Sequence, residues 1–195
     1  MPTSYSHLIP GVVDAVQGCA VRYGLESVLD LGCGAGAYGF LLRHYIDHVY
    51  NRMKPEEWQL RLVGVEGYEG FRTAAWDAYD EVLIEPIQEY LARGRERFDV
   101  VLLLDVLEHF ELPEAYEALG AAYAMTDKFM IVSSPSVFRE QWHPPGKPWG
   151  TELQERHSLI TPDMLEALFG RVQIIDVSGD ESVWLGKVIN EYLEI

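Results

Sequence analysis

Glycines at every second position follow an acidic residue early in the chain. Asp30 ends a short apolar run, and Gly32, Gly34 and Gly36 come next, before a pattern typical of a helix. Glycine allows positive φ angles and lets a ligand approach the main chain closely. The N–H groups and the positive dipole end of the following helix would face that ligand. The pattern therefore predicts a strand, a tight turn and a helix that together bind a nucleotide-type ligand.

Two kinds of ligand fit this turn, and a third interpretation is a turn that only joins strand and helix. Gly32, Gly34 and Ala37 match the dinucleotide pattern G-x-G-x-x-G/A, which alone is a weak signal. The acid favours another ligand, because a carboxylate repels a pyrophosphate. The run Asp30-x-Gly32-x-Gly34-x-Gly36 resembles the first motif of class I S-adenosylmethionine (SAM)-dependent methyltransferases. SAM carries an ammonium and a sulfonium, so the resemblance implies a cationic cofactor, with the acid organising the turn.

A second acid, Glu66, ends the next predicted strand and precedes Gly67 and Tyr68. The resemblance implies that Glu66 accepts both ribose hydroxyls of SAM and that its two followers line the cofactor. The spacing departs from the usual pattern, because 30 positions separate Gly36 from Glu66, whereas about 20 is common in nucleotide-binding units. Residues 51–58 look like an insertion in this connection.

Two further strand ends supply the remaining cofactor contacts that the resemblance implies. Glu85 and Pro86 end the third predicted strand, where the family contacts adenine. Asp105 and Val106 end the fourth. The run Asp-Val-Leu-Glu-His at 105–109 resembles the fourth motif of small-molecule and quinone methyltransferases, which lies near the sulfonium and its methyl group.

Candidate catalytic residues lie beside this run. A hydroxyl acceptor needs a proton acceptor, and histidine titrates in the right range. His109 is the candidate base, and Glu108 and His157 complete the expected catalytic set. The alternative for each histidine is a structural hydrogen-bonding role.

The same residues raise an alternative function. Asp105, Glu108, His109 and His157 resemble, in type and order, the acid-acid-histidine-histidine set of small-RNA 3′-terminal methyltransferases, which hold a divalent cation. Carboxylate and imidazole ligands together suit Mg, Mn or Zn-type ions. The first acid of the RNA enzymes is Glu, not Asp, and metal binding is therefore a secondary hypothesis. A second alternative is a non-catalytic SAM-binding subunit that serves a partner.

The elements that must position these residues alternate along the chain. Strands are predicted at 27–31, 59–66, 81–85, 98–104 and 129–133, and a terminal hairpin at 172–177 and 182–188. Helices are predicted at 9–23, 37–52, 69–79, after Pro86, at 113–124 and up to 169. This alternation indicates one α/β domain over 1–195, with a mostly parallel sheet, helices on both faces and an antiparallel hairpin. The resemblance implies a Rossmann-like seven-stranded sheet in the order 3-2-1-4-5-7-6.

One long segment breaks the alternation. Residues 134–160 contain four prolines, two glycines, two tryptophans and two histidines. A loop of this length within a compact domain usually serves binding or closure. Phe138, Trp142 and Trp149, with Tyr38, could form an apolar wall for a small acceptor, and His143 lies among them.

The amino-acid composition indicates which binding partners and which cellular compartment to expect. The 195 residues include 15 Lys and Arg against 31 Asp and Glu, for a formal net charge of −16. Nucleic-acid affinity depends on basic residues that neutralise phosphates, so a nucleic-acid partner is disfavoured. No apolar run approaches the length of a membrane span, and no signal peptide is visible. Two cysteines, Cys19 and Cys33, do not make a disulfide framework, and a cytoplasmic location is expected.

The resemblance therefore implies a SAM-dependent methyltransferase with a small-molecule substrate. S-adenosylhomocysteine (SAH) is the expected product. The sequence leaves the accepting atom open among oxygen, nitrogen, sulfur and carbon, and an oxygen nucleophile is the hypothesis taken forward.

Overall fold

The computed structural model describes residues 6–94, 96–136, 157–177 and 183–189. Its strands are β1 Ser27–Leu31, β2 Arg61–Glu66, β3 Glu81–Ile84, β4 Phe98–Leu104, β5 Thr126–Pro135, β6 Val172–Val177 and β7 Val183–Ile189. They form one seven-stranded sheet in the order β3-β2-β1-β4-β5-β7-β6. Strands β1 to β5 pair in parallel, and β7 runs antiparallel to both β5 and β6. This topology confirms the predicted fold class.

Helices cover both faces of the sheet. They are α1 Ile9–Tyr23, α2 Ala37–Ile46, α3 Ile87–Arg93, α4 Leu112–Ala124 and α5 Pro162–Phe169. Strand β4 is buried along its whole length, as its unbroken apolar run predicts. Its residues alternate between two hydrophobic cores. Val100 and Leu102 pack on the side of α1 and α2, while Val101 and Leu103 pack on the side of α3, α4 and α5. No helix in the described ranges is long and apolar enough to cross a bilayer.

The direction of winding reverses at β1. The chain passes from β1 outward to β2 and β3, then returns across the sheet to β4, which pairs with the other side of β1. Such a reversal opens a crevice beyond the carboxyl ends of the strands, where open α/β sheets bind their ligands. The glycine turn after β1, Glu66 at the end of β2 and Asp105 after β4 all lie at this end.

Two predicted helices differ from the structure. The helix expected at 69–79 is wrong, because this segment forms two short 3₁₀ helices, Glu69–Phe71 and Ala74–Ala78. The helix expected at 37–52 ends earlier, at Ile46. The buried Asp47 carboxylate that follows accepts hydrogen bonds from Arg43, Arg52 and the Gln59 N–H. These bonds turn the chain away from the helix and fasten the inserted residues 51–58 to the start of β2.

Strand ends also shift by a few residues. Strand β2 begins at Arg61 rather than at 59, and β5 begins at Thr126 rather than at 129. The earlier start of β5 arises because Phe98 at the start of β4 pairs with Thr126. The polar residues at 126–128 thus belong to β5, although the apolar pattern begins only at 129.

Candidate functional site

The glycine turn is packed so closely that a side chain would not fit at Gly32 or Gly36. Gly32, Gly34 and Gly36 have φ angles of 80°, 53° and 86°, a region that L residues rarely adopt. A Cβ on Gly32 would lie 2.5 Å from the Val106 side chain, and one on Gly36 would lie 2.8 Å from Trp76. The Gly32 N–H donates to the Val65 carbonyl at 2.8 Å. The turn is therefore fixed against β2, the loop after β4 and the segment that contains Trp76.

Glu66 reaches back from the end of β2 to this turn. Its carboxylate accepts hydrogen bonds from the Gly34 N–H and from the Tyr68 N–H, both at 2.9 Å. The residue is only 8% exposed. Burial raises the pKa of Glu66, and the hydrogen bonds from Tyr68, Gly34 and Gly67 act in the opposite direction. The carboxylate is thus held in one orientation beside the glycine main chain.

Asp30 lies beneath the turn rather than at its surface. It is 2% exposed, and the Tyr79 hydroxyl donates to its Oδ2 at 2.6 Å. Burial raises the pKa of Asp30 to about 6, the Tyr79 hydrogen bond opposes this rise, and the nearby Glu66 adds to it. The Tyr79 hydroxyl in turn accepts a hydrogen bond from the Gly39 N–H at 3.0 Å. The Tyr79 hydroxyl therefore links Asp30 to the first turn of α2.

Residues 73–79, which we call the clasp, bind the carbonyl side of the same turn. The Trp76 indole Nε1 donates to the Gly34 carbonyl, and the Thr73 hydroxyl donates to the Ala35 carbonyl, each at 2.8 Å. Sequence reasoning missed all three clasp side chains, including Tyr79. Their local pattern predicts a helix, and only the tertiary contacts show the link to residues about 40 positions away.

Glu85 lies at the next strand end, beside Glu66. Its N–H donates to the Glu66 carbonyl at 3.0 Å, and its carboxylate forms an ion pair with Arg93 at 2.5 Å. Pro86 is the N-cap residue of α3, one position before the first helical residue. The structure thus brings Glu85 to the edge of the crevice, with Arg93 of α3 holding its side chain.

Asp105 has an unusual backbone conformation at the end of β4. Its φ angle is 55°, in the left-handed region. Most non-glycine residues there cost about 1–2 kcal/mol, and Asp adopts the region more readily than most; such strain is concentrated at functional sites. The Asp105 N–H donates to the Ser133 carbonyl at 3.1 Å, and the Ser133 hydroxyl donates to Asp105 Oδ1 at 2.9 Å. Strand β5 therefore holds this strained residue in place.

The chain brings His157 to the turn that contains Glu108 and His109, although some 50 residues separate them. Residues Leu107–His109 form a 3₁₀ helix, and the Glu108 side chain is buried. The His157 N–H donates to the Glu108 carbonyl at 2.7 Å. The His157 Nδ1 lies 3.5 Å from a carboxylate oxygen of Glu111. The three residues of the predicted catalytic set are thus neighbours beyond the end of β4.

The candidate metal ligands are neighbours without forming a ligand shell. Among the described residues, no three His, Cys, Asp or Glu side chains converge in a way that could hold a metal ion. The His157 N–H bonds to the Glu108 carbonyl and the His109 N–H to the Val106 carbonyl, whereas the Asp105 N–H bonds to the Ser133 carbonyl of β5. The predicted acceptor wall of Phe138, Trp142 and Trp149, together with His143, lies outside the described residues, while Tyr38 is buried on α2.

Comparisons with known proteins agree on the fold. No protein-family model matches the sequence, and no curated protein sequence is significantly similar. The magnesium protoporphyrin IX methyltransferase of Synechocystis PCC 6803, solved with bound SAM, matches with a TM-score of 0.63 and 16% identity, covering 95% of this chain and 79% of that one. The N-terminal domain of EvdMO1, solved in the presence of SAH and D-fucose, matches with a TM-score of 0.65 and 17% identity over 96% and 85% of the two chains.

A third solved structure matches over nearly its whole length. The N-methyltransferase NodS of Bradyrhizobium japonicum WM9 has a TM-score of 0.59 and 16% identity, and the match covers 95% of this chain and 97% of that one. The low identities carry information about architecture alone. The structural matches and the strand order together show that this chain has the class I SAM-dependent methyltransferase fold.

Proposed function

We propose that this chain is a SAM-dependent methyltransferase that methylates a small-molecule acceptor at an oxygen atom. The observation that carries the proposal is the hydrogen bond from the Gly34 N–H to the Glu66 carboxylate at 2.9 Å. In a phosphate-binding turn, main-chain N–H groups face the phosphate. Here this N–H donates to the Glu66 carboxylate, so an anionic group of the protein occupies the position of a phosphate. The turn therefore favours a cationic ligand over a dinucleotide.

The charge beneath the turn supports the same ligand. Asp30 and Glu66 are both buried at the turn. With a pKa of about 6, Asp30 is mostly ionised at neutral pH. Two carboxylates in a site of low dielectric attract a cation and repel a pyrophosphate. The ammonium and sulfonium of SAM fit this environment, and the neutral thioether of SAH fits it less well.

Glu66 also has the capacity to bind a ribose. Its Oε2 accepts from the Gly34 N–H and its Oε1 from the Tyr68 N–H, the Gly67 N–H also bonds to the carboxylate, and a carboxylate offers about four lone-pair sites in all. The two oxygens of the carboxylate would suit the two hydroxyls of a cis-diol. The backbone bonds fix the carboxylate before a ligand arrives, which lowers the entropic cost of binding.

The acceptor half of the site would lie across the crevice, beyond the end of β4. When bound, SAM supplies an electrophilic methyl group for in-line displacement, and holding the nucleophile in place contributes much of the rate. We assign His109 to accept the proton of an acceptor hydroxyl. Glu108 and His157 would hold the Leu107–His109 turn, since the His157 N–H donates to the Glu108 carbonyl.

Methyl transfer from SAM with a labelled methyl group tests this function. The purified chain is incubated with panels of phenols, carboxylic acids, amines and short RNAs. We expect the label to appear on a phenol or a carboxylic acid. Transfer only to an amine would reject the oxygen acceptor, and transfer to RNA would reject the small-molecule acceptor. SAM binding without transfer to any class would favour the non-catalytic subunit.

A further inference from the structure

We propose that Tyr79 is a positioning residue of the cofactor turn, which couples the buried Asp30 carboxylate to the first turn of α2. This inference rests on the proposed function, because it concerns how the same turn binds SAM. The Tyr79 hydroxyl donates to Asp30 Oδ2 at 2.6 Å and accepts from the Gly39 N–H at 3.0 Å. A single hydroxyl group thus joins the strand before the turn to the helix after it.

The start of α2 needs an acceptor that its own sequence does not provide. The first N–H groups of a helix have no partner within the helix. The residue before α2 is Gly36, whose lack of a side chain leaves no local cap. The Tyr79 hydroxyl provides the missing acceptor for Gly39, and the next N–H, that of Phe40, bonds to the Gly36 carbonyl. Tyr79 therefore helps to fix where the helix begins relative to the glycine turn.

The space around Tyr79 accommodates a flat aromatic ring because two glycines lie against it. A Cβ on Gly39 would lie 1.9 Å from the Tyr79 ring, and one on Gly64 would lie 3.1 Å from it. The tyrosine is 5% exposed. The two glycines, one on α2 and one on β2, leave a slot that the ring fills. A phenylalanine would keep this packing and remove only the hydroxyl.

Removal of the hydroxyl would also change the charge of Asp30. The groups around its carboxylate are Tyr79, Glu66 and Cys33. Burial raises the pKa of Tyr79 well above 10, and the charge of Asp30 and the nearby Cys33 add to this rise, so the hydroxyl stays protonated and donates. This donated bond lowers the pKa of Asp30. Without it, the Asp30 pKa rises further, and Asp30 becomes neutral at a higher pH.

Calorimetric titration with SAM between about pH 5 and pH 7.5 tests the proposal on the wild type and on Tyr79→Phe. If ionised Asp30 supports the turn, affinity falls as the pH falls through its pKa. We expect Tyr79→Phe to weaken SAM binding roughly three- to tenfold near neutral pH. We also expect it to move the midpoint of the acidic decline to higher pH. The control is Tyr90→Phe on α3, which removes the hydroxyl of another buried tyrosine, 9% exposed, and should leave both unchanged.

The outcomes separate this inference from the proposed function. A wild type that binds no SAM at any pH rejects both. A wild type that binds SAM, with Tyr79→Phe identical to it in affinity and midpoint, overturns only the role of Tyr79. A second variant, Asp30→Asn, tests the inference even if Tyr79→Phe does not fold. The asparagine side chain keeps an oxygen that can accept the hydrogen bond from the Tyr79 hydroxyl. The SAM affinity of this variant should fall less than that of the wild type between pH 7.5 and pH 5, because Glu66 still titrates at the turn whereas the asparagine does not. A decline equal to that of the wild type would also overturn the inference.

Discussion

The Glu66 carboxylate accepts a hydrogen bond from the Gly34 N–H at 2.9 Å, although 32 positions separate the two residues in the chain. The parallel register of β1 and β2, in which Leu31 lies opposite Val65, brings them together. An anion of the protein itself thus faces the main chain of the glycine turn. This arrangement favours a cationic cofactor, and it ties the orientation of Glu66 to the conformation of the turn.

Replacement of Gly34 tests where the cofactor binds. Gly34 has a φ angle of 53°, which a β-branched residue adopts only with strain. We expect Gly34→Val to abolish SAM binding in calorimetry while the protein remains folded in circular dichroism. Gly120→Ala is the matched control, because Gly120 lies on α4 with open space around it. That variant should bind SAM normally and be more stable by about 0.5–1 kcal/mol. Unchanged affinity in Gly34→Val would reject this position for the cofactor.

Replacement of His109 tests the candidate base. His109→Ala should leave SAM affinity nearly unchanged and lower turnover by roughly 10²–10⁴, which is the usual contribution of general acid–base catalysis. Turnover is measured with the acceptor found in the labelling experiment. His44→Ala is a control for the loss of an imidazole, because His44 is an exposed residue of α2 and should retain wild-type turnover.

A chelator separates the base from the metal hypothesis. We expect turnover of the wild type to be the same with and without EDTA. Loss of activity in EDTA that a divalent ion restores would instead assign Glu108, His109 and His157 to a metal site. Full turnover of His109→Ala in both conditions would leave this histidine with a structural role only.

Substitutions of Asp105 test whether the backbone at the end of β4 is strained. Asp105→Gly and Asp105→Ala both remove the carboxylate that accepts from Ser133, so their difference isolates the backbone. Because Asp105 has a φ angle of 55°, the alanine variant should be less stable than the glycine variant by about 1 kcal/mol. Chemical denaturation measures this difference. An alanine variant more stable than the glycine variant, as expected for an ordinary backbone conformation, would contradict the left-handed conformation.

The buried ion pairs of Asp47 test what anchors the inserted residues. Asp47 is fully buried between Arg43 and Arg52, and removal of one partner of such a pair costs about 3–5 kcal/mol. We expect Asp47→Ala to lose a free energy of unfolding of this size at pH 7. Glu96→Gln, which breaks the exposed pair with Arg61, should cost at most about 1 kcal/mol. Similar losses in the two variants would contradict the account.

The same carboxylate predicts how stability depends on pH. Burial alone would raise the pKa of Asp47, but hydrogen bonds from the Gln59 N–H and from Arg43 and Arg52 outweigh burial and lower it. A pKa lowered on folding contributes stability above the unfolded value of about 4, and this contribution is lost as the pH falls through the folded value. The wild type should therefore lose more stability than Asp47→Ala between pH 7 and pH 3. Parallel losses would contradict this assignment.

The sequence is most informative where burial decides the structure. The apolar run of β4 and the glycine pattern after β1 predict their elements well, because continuous burial and positive φ angles restrict the residue types. The segment 69–79 was not predictable in this way. Its conformation depends on hydrogen bonds from Trp76 and Tyr79 to residues at 34, 30 and 39, and local periodicity contains no trace of such contacts. The link between Ser133 and Asp105 has the same origin, since it depends on the register of β4 and β5.

The affinity of Glu66→Ala for SAM tests the central claim most directly. Loss of hydrogen bonds to a charged acceptor costs roughly 1.5–3 kcal/mol, so this variant should bind SAM about one to two decades more weakly than the wild type. Glu69→Ala, which removes an exposed carboxylate three residues along, should bind as the wild type does. Calorimetry with SAM and with NADH on all three proteins should show binding of SAM alone. Wild-type affinity in Glu66→Ala, or binding of NADH in preference to SAM, would contradict the account.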